Sequence, residues 1–302
     1  MSTTGASPAE VAVIGLGTMG IALARLFHDH GLDVRVFDTR VSEAASLPAS
    51  LGTNLRVCAS IRECVENAGF VFEAVSEDPA VKESVLREVS RWTTGIIASN
   101  TSTFMPRVLA AFVDRPENLL IAHFFNPADV VPLVEVVPHE GTSIEARRAV
   151  EQMLRDAGKK VVLLEKERVG FVANRLQAAV LRESLSLIEQ GVVSAEDIDE
   201  VVRSALAPRW AVAGPIGVAD LGGLDVFAAV CTQIFPDLSV ADEPSHLLTS
   251  LVGAGRVGAK TGSGFYPHTD QGTRASVERI ARLFSSLEPD GPTTPEHPGG
   301  IS

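Results

Sequence analysis

Residues 11–20 read VAVIGLGTMG. A short run of small and β-branched apolar side chains ends in glycines spaced G-x-G-x-x-G, and the residues up to His30 carry apolar positions at helical spacing. This pattern predicts a strand, a tight turn and a helix. Gly15 allows the turn, Gly17 lets a pyrophosphate approach the backbone, and Gly20 lets helix and strand pack closely. Thr18 and Met19 fill the variable places of the same loop. The helix start offers N–H groups and a partial positive charge to the phosphates. The next strand, DVRVFD (33–38), ends at Asp38. A carboxylate there accepts hydrogen bonds from an adenosine ribose and repels a 2′-phosphate, so NAD is expected over NADP. Arg40 lies beside it and weakens that preference slightly.

Outward from this loop the first half alternates apolar runs with helical patterns. The runs are FVFEAV (70–75), GIIASN (95–100) and LLIAHFF (119–125). Asp78 and Pro79 suit the cap and first position of a helix between the first two. Such alternation predicts an α/β fold with a doubly wound parallel sheet of Rossmann type. TSIE (142–145) has capping-box spacing before a helix to about 157, and KVVLLE (160–165) gives one more strand. From Gly170 onward the patterns are helical, with SAED (194–197) as another capping box. The expected organisation is a nucleotide-binding domain over 1–168, an all-α C-terminal domain over 169–285, and a disordered Pro/Gly-rich tail over 286–302.

The chain has 302 residues, 45% hydrophobic and 21% charged, which suits two globular domains with a sizeable core. A net charge of −12 argues against nucleic acid or an anionic membrane as partner. No apolar run is long enough to span a bilayer, and MSTTGASPAE lacks the basic and apolar parts of a signal peptide. The three cysteines have no metal-type spacing, so no metal site is expected, and a reduced, cytoplasmic protein is.

AHFFNPADVVPLVEVV (122–137) holds His123 and, twelve residues on, Glu135 inside an apolar run. FNP turns the chain, and a second strand is expected from about Val131. Side by side, the two strands would set His123 against Glu135. A carboxylate holds one imidazole tautomer and leaves the other ring nitrogen to take a proton. Beside a dinucleotide loop, that is the chemistry of alcohol oxidation. The plainer alternative is a buried structural pair.

With these segments in order, the chain resembles the 3-hydroxyacyl-CoA dehydrogenase family over about residues 10–268. GLGTMG, NTS (100–102), HFFNP (123–127), PLVEVV (132–137), GFVANR (170–175), GPIGVADLGGLD (214–225) and KTGSGFY (260–266) carry the resemblance. It implies His123 as catalytic base, Glu135 as its partner, Ser102 at the substrate hydroxyl or thioester end, and Asn174 positioning the substrate oxygen. It implies cofactor contacts from Asp38, Glu77, Lys82, Asn126 and Lys260, and a homodimer through the helical domain. Read from the residues alone, Ser102 also suits a helix N-cap, Asn174 a polar helix start, Glu77 and Lys82 a solvated pair, and Lys260 a surface lysine. The resemblance implies reversible, NAD-dependent oxidation of a short 3-hydroxyacyl thioester such as 3-hydroxybutyryl-CoA, within fatty acid metabolism. Other segments resemble relatives acting on free hydroxy acids or alcohols, namely gulonate, carnitine and pyridine-alcohol dehydrogenases. A carrier-protein-bound substrate is a third reading. The family's long helical excursion after the second strand, with its coenzyme A contacts, is replaced by the short, lysine-free segment 39–57.

Overall fold

The computed structural model describes residues 10–41 and 55–286. The expected tail, Ser286 apart, and most of the 39–57 segment lie outside the described residues. The chain divides into two compact units, one running to Val172 and resumed from Arg279, the other Ala173–Glu278.

The first unit is an eight-stranded sheet: β1 (Glu10–Ile14), β2 (Asp33–Phe37), β3 (Arg56–Val57), β4 (Phe70–Glu73), β5 (Ile96–Ser99), β6 (Leu119–Phe124), β7 (Leu133–Pro138) and β8 (Lys160–Leu163). Their spatial order is β3-β2-β1-β4-β5-β6-β7-β8. The order reverses beside β1, the place where open α/β sheets bind ligands. All pairings are parallel except β6 with β7. That exception is the strand pair joined by the expected FNP turn, and chain length explains it. Too few residues separate Phe124 from Leu133 for a crossover helix, so the chain must turn back on itself. The strand also starts at Leu133, past the Val131 expected, because Val130 and Val131 bond back to Pro127 O in the turn.

Among the described residues five α-helices accompany the sheet: α1 (Thr18–Asp29), α2 (Ile61–Val65), α3 (Pro79–Trp92), α4 (Pro106–Ala110) and α5 (Ile144–Asp156). α3 starts as the sequence predicts, with Asp78 accepting from the N–H groups of Ala80 and Val81. α5 does not. Its cap is Ser143, which accepts from Ala146 N–H, one residue later than the capping box implied. Thr142 is occupied elsewhere: its hydroxyl donates to Leu119 O and accepts from His139 N–H. The sheet's two faces bury separate clusters, one centred on Phe27, Phe72 and Phe124, the other on Leu86, Leu109 and Ile121. The first three rings meet at 4.5 to 6.4 Å, Phe27 from α1 touching both strand residues.

The second unit is helical: α6 (Ala173–Glu189), α7 (Ala195–Val201), α8 (Ala207–Gly222), α9 (Leu224–Ile234) and α10 (His246–Gly253), followed by α11 (Asp270–Ser286). α8 is kinked at Gly214, whose φ of +68° and ψ of 168° precede Pro215. Among the described residues of this unit Leu185 is the one buried hydrophobic side chain. Val212, Ile216, Leu221 and Leu224 on α8 and α9 are 60–90% exposed. Among the described residues no single helix is long and apolar enough to cross a membrane; only a pair bent by 97°, Ala195–Gly222 with Leu224–Ile234, passes by length and composition.

Candidate active site

The carboxyl ends of β1, β2, β4, β5 and β6 lie along one edge of the sheet and gather most of the residues singled out above. At the end of β1 the glycines divide their work as expected. A Cβ on Gly15, where φ is +92°, would lie 2.8 Å from Ala74 O, and one on Gly20 would lie 1.8 Å from Gly15 O. Both are held open by the protein's own backbone. A Cβ on Gly17 would meet nothing within 4 Å, so this side of the loop faces free space. Gly17 caps α1 with no side-chain hydrogen bond and no acid in the first turn, and Thr18 and Met19 begin the helix. Uncapped N–H groups beside an open backbone fit a pyrophosphate.

Asp38 follows β2 with its side chain 7% exposed. Its Oδ2 accepts from Leu16 N–H (2.7 Å) in the glycine loop, so the acid is tied to the phosphate-binding turn. Arg40 grips both oxygens, Nε on Oδ1 at 3.0 Å and Nη2 on Oδ2 at 2.9 Å. The Arg40 bonds first, then the backbone N–H groups, outweigh burial and hold the carboxyl well below the usual range.

A second polar cluster was only half visible in the sequence. Glu73 closes β4 fully buried and accepts from Lys82 Nζ at 2.9 and 3.1 Å, from Ser99 Oγ at 2.5 Å and from Val75 N–H at 2.8 Å. Lys82 is 1% exposed and also reaches Glu77 Oε2 at 3.3 Å. Glu77 in turn accepts from Thr101 Oγ1 (2.8 Å) and Ser102 N–H (2.8 Å). Lys82 is thus a buried brace, not the solvated partner that a helix start suggests, and its ammonium is committed to two carboxylates. Ser102 sits in a loop ahead of α4 and caps no helix. Glu73 went unmarked in the sequence although FVFEAV poses the same question as PLVEVV, a carboxylate inside an apolar run.

His123 and Glu135 are directly opposed in the β6–β7 ladder. His123 Nδ1 lies 2.9 Å from Glu135 Oε2, and both side chains are buried. The carboxylate accepts the Nδ1 proton, which leaves Nε2 as the acceptor nitrogen. The other carboxylate oxygen, Oε1, accepts Val172 N–H at 2.9 Å. Phe125 and Phe171 place their rings 4.7 and 5.2 Å from the imidazole. Phe171 does so from φ +52°, a strained setting for a bulky residue, and is 2% exposed. Nothing in GFVANR but its glycine announces that geometry. Asn100 is another residue the sequence reading missed: its Oδ1 accepts Phe124 N–H at 3.0 Å and fixes the strand end beside His123.

Asn126 follows as an exposed residue joined to Pro127 by a cis peptide bond. Asn174 and Lys260 belong to the second unit. Asn174 is half-buried in the first turn of α6, and Lys260 is exposed in a short 3-10 turn, Ala259–Thr261, between Gly258 and Gly262. Among the described residues no cluster of His, Cys, Asp or Glu is placed to hold a metal.

Comparison with known proteins identifies the family. The profile of the 3-hydroxyacyl-CoA dehydrogenase NAD binding domain matches residues 10–56 and 44–168, and that of the family's C-terminal domain matches 170–268. The 5-formyl-3-hydroxy-2-methylpyridine 4-carboxylate 5-dehydrogenase of Mesorhizobium japonicum is 31% identical, over 91% of this chain and 96% of its own. A crystal structure of an enzyme so named, described as an NAD+ dependent dismutase, superposes with a TM-score of 0.85 at 30% identity, covering 94% of this chain and 100% of that one. The 3-hydroxybutyryl-CoA dehydrogenase of Mycobacterium tuberculosis is 30% identical over 86% of this chain and 98% of its own. The 3-hydroxyacyl-CoA dehydrogenase structure from Archaeoglobus fulgidus gives a TM-score of 0.69 at 35% identity, over 93% of this chain and 100% of that one. With its glycine loop, its buried His–Glu pair and profile matches over both halves, the chain belongs to the 3-hydroxyacyl-CoA dehydrogenase family and is an NAD-dependent dehydrogenase acting on a CH–OH group.

Proposed function

We propose that this chain oxidises a short 3-hydroxyacyl thioester, of the 3-hydroxybutyryl-CoA kind, reversibly to the 3-oxoacyl thioester. The observation that carries the chemistry is the buried 2.9 Å contact of His123 Nδ1 with Glu135 Oε2. Glu135 holds the imidazole so that Nε2 takes the substrate hydroxyl proton, and it stabilises the imidazolium that results. Phe125 and Phe171 wall the ring and exclude water from that nitrogen. Ser102 contacts the substrate at its hydroxyl or thioester end, with Glu77 fixing its backbone. Bound NAD supplies the hydride acceptor. Gly15, Gly17, Gly20, Thr18 and Met19 hold its pyrophosphate and Asp38 its ribose, Glu77 and Asn126 border the same site, and Lys82 supports it from behind by holding Glu73 and Glu77.

A specific observation favours a second reading, the same chemistry on a free hydroxy acid or alcohol. The pyridine-carboxylate relative matches nearly end to end, and the structure of that enzyme superposes better than the acyl-CoA enzyme from Archaeoglobus. The test is NADH formation measured with 3-hydroxybutyryl-CoA, 3-hydroxybutyrate, carnitine, gulonate and a pyridine alcohol. Turnover confined to substrates without a thioester overturns the first reading and supports the second.

The partner is a second copy of this chain. The helical unit buries little of its own apolar surface, exposes the faces of α8 and α9, and holds a groove of about 1190 Å³ lined by Leu176, Val180, Ile198, Trp210, Leu248 and Phe265. Exposed apolar faces of this size call for a partner surface. A dimer mass by light scattering supports this, and a monomer at micromolar concentration overturns it.

A further inference from the structure

The cluster around Asp38 has a property that the NAD reading does not use. A carboxylate has about four acceptor positions. On Asp38 four N–H donors occupy them: Arg40 N–H (2.9 Å) and Nε (3.0 Å) on Oδ1, Leu16 N–H (2.7 Å) and Arg40 Nη2 (2.9 Å) on Oδ2. A ribose diol that takes this carboxylate as its acceptor must therefore displace the guanidinium. A ribose bearing a 2′-phosphate has the opposite need. It requires a cation, and the usual obstacle to it, an unpaired carboxylate, is here already neutralised by a two-pronged ion pair.

Arg40 is suited to that task. Its side chain is 72% exposed, whereas that of Asp38 is 7% exposed, so the cation stands on the solvent side of the acid. A guanidinium has five N–H donors. Two of Arg40's are on Asp38, which leaves three for an incoming anion on a side chain that is largely exposed. The backbone N–H of Arg40 on Oδ1 keeps residue 40 at the strand end whichever way the side chain turns. Arginine matches phosphate geometry better than any other side chain.

We propose that Arg40 equips the adenosine end of the site to accept a 2′-phosphate, so that this chain binds NADP(H) as well as NAD(H). The proposal rests on the glycine loop and Asp38 being the dinucleotide site. It makes Arg40 a specificity-determining residue, and it corrects the simple rule that an acid at the end of the second strand excludes NADP.

The test is direct binding, independent of turnover. The purified full-length chain is titrated with NADH and with NADPH, each followed by nucleotide fluorescence. The wild-type dissociation constants are expected to agree within about a hundredfold. In Arg40→Gln, NADPH binding weakens roughly tenfold, as expected for losing a charge-assisted phosphate contact. NADH, no longer competing with the guanidinium for Asp38, tightens. Arg40→Lys retains part of the NADPH affinity. NADPH binding more than a hundredfold weaker than NADH in the wild type overturns the proposal, and so does an NADPH-to-NADH ratio unchanged by Arg40→Gln. Failure of NADH itself to bind overturns instead the dinucleotide reading beneath it.

Discussion

Glu135→Gln separates a catalytic partner from a structural one, because the amide fits the cavity but cannot serve both contacts. Glu135 accepts hydrogen bonds from His123 Nδ1 and from Val172 N–H, one on each carboxylate oxygen. A glutamine has one oxygen to offer. With that oxygen on Val172, its NH₂ faces Nδ1 and forces the proton onto Nε2, the nitrogen that must accept. With the oxygen on His123, the NH₂ meets the Val172 N–H, donor against donor. The first arrangement disables the base. The second keeps the tautomer but loses the carboxylate's charge from the imidazolium. An acid-to-amide change of this kind in hydrolytic triads lowers kcat by about 10⁴. General-base catalysis as a whole is worth about 10² to 10⁴. We expect kcat to fall by roughly 10³, close to 4 kcal/mol of barrier. The cost to folding is that of one mispaired buried group, about 1–3 kcal/mol. Steady-state NADH formation gives kcat, thermal melting gives the folding cost, and NADH fluorescence shows whether the cofactor still binds. A kcat within fivefold of wild type, with the melting temperature lowered all the same, would falsify the catalytic role and leave a structural pair.

Further tests probe the scaffold around the site. Lys82→Met strands the fully buried Glu73 carboxylate, and should cost about 3–5 kcal/mol in denaturant unfolding. Adding Glu73→Gln should recover a good part of that loss; additive losses in the double variant would mean the pair is not coupled. Gly20→Ala drives a methyl to 1.8 Å from Gly15 O and should fail to fold stably, whereas Gly17→Ala adds its methyl in open space and should melt like wild type while binding NADH more weakly. Equal melting temperatures for the two variants would refute that division. Lys159 is buried beneath the turn that joins β6 to β7, donating to the carbonyls of Ala128 and Val131, and burial lowers its pKa from 10.5 to about 8. The folded state therefore penalises the charged form: the penalty is full below pH 8 and is relieved as pH rises toward 10.5. The stability of wild type relative to Lys159→Met should climb over that window by up to about 3 kcal/mol, and a flat difference would show that the ammonium is not strained.

The nucleotide-binding half was legible because each of its signals is local. A strand running into G-x-G-x-x-G, an acid closing the next strand, and Asp78-Pro79 opening a helix can each be read within a few residues. His123 and Glu135 were legible because only a turn separates their strands, so sequence distance and spatial distance stay linked. Glu73 was not, because its partners come from α3 and β5, and only the folded sheet brings Lys82 and Ser99 to it. Phe171 was hidden for a different reason, since a positive φ on a phenylalanine leaves no mark in composition or period. The shift of the α5 cap from Thr142 to Ser143 follows from a long-range bond to Leu119 O that outcompetes the local motif. The helical half gave its helices but not their weak mutual burial, because an amphipathic pattern does not say which molecule covers the apolar face.

The antiparallel pairing of β6 and β7 has one more consequence. His123 stands opposite Glu135 because of the ladder between the strands, and the turn from Phe125 to Pro132 contributes nothing to that alignment beyond closing the chain. With Phe125 and Asn126 kept, the rest of the turn can be rewritten while His123 and Glu135 stay in register. Proton transfer thereby belongs to the strands of the hairpin, and the loop beyond Phe125 and Asn126 can drift in sequence without disturbing the pair.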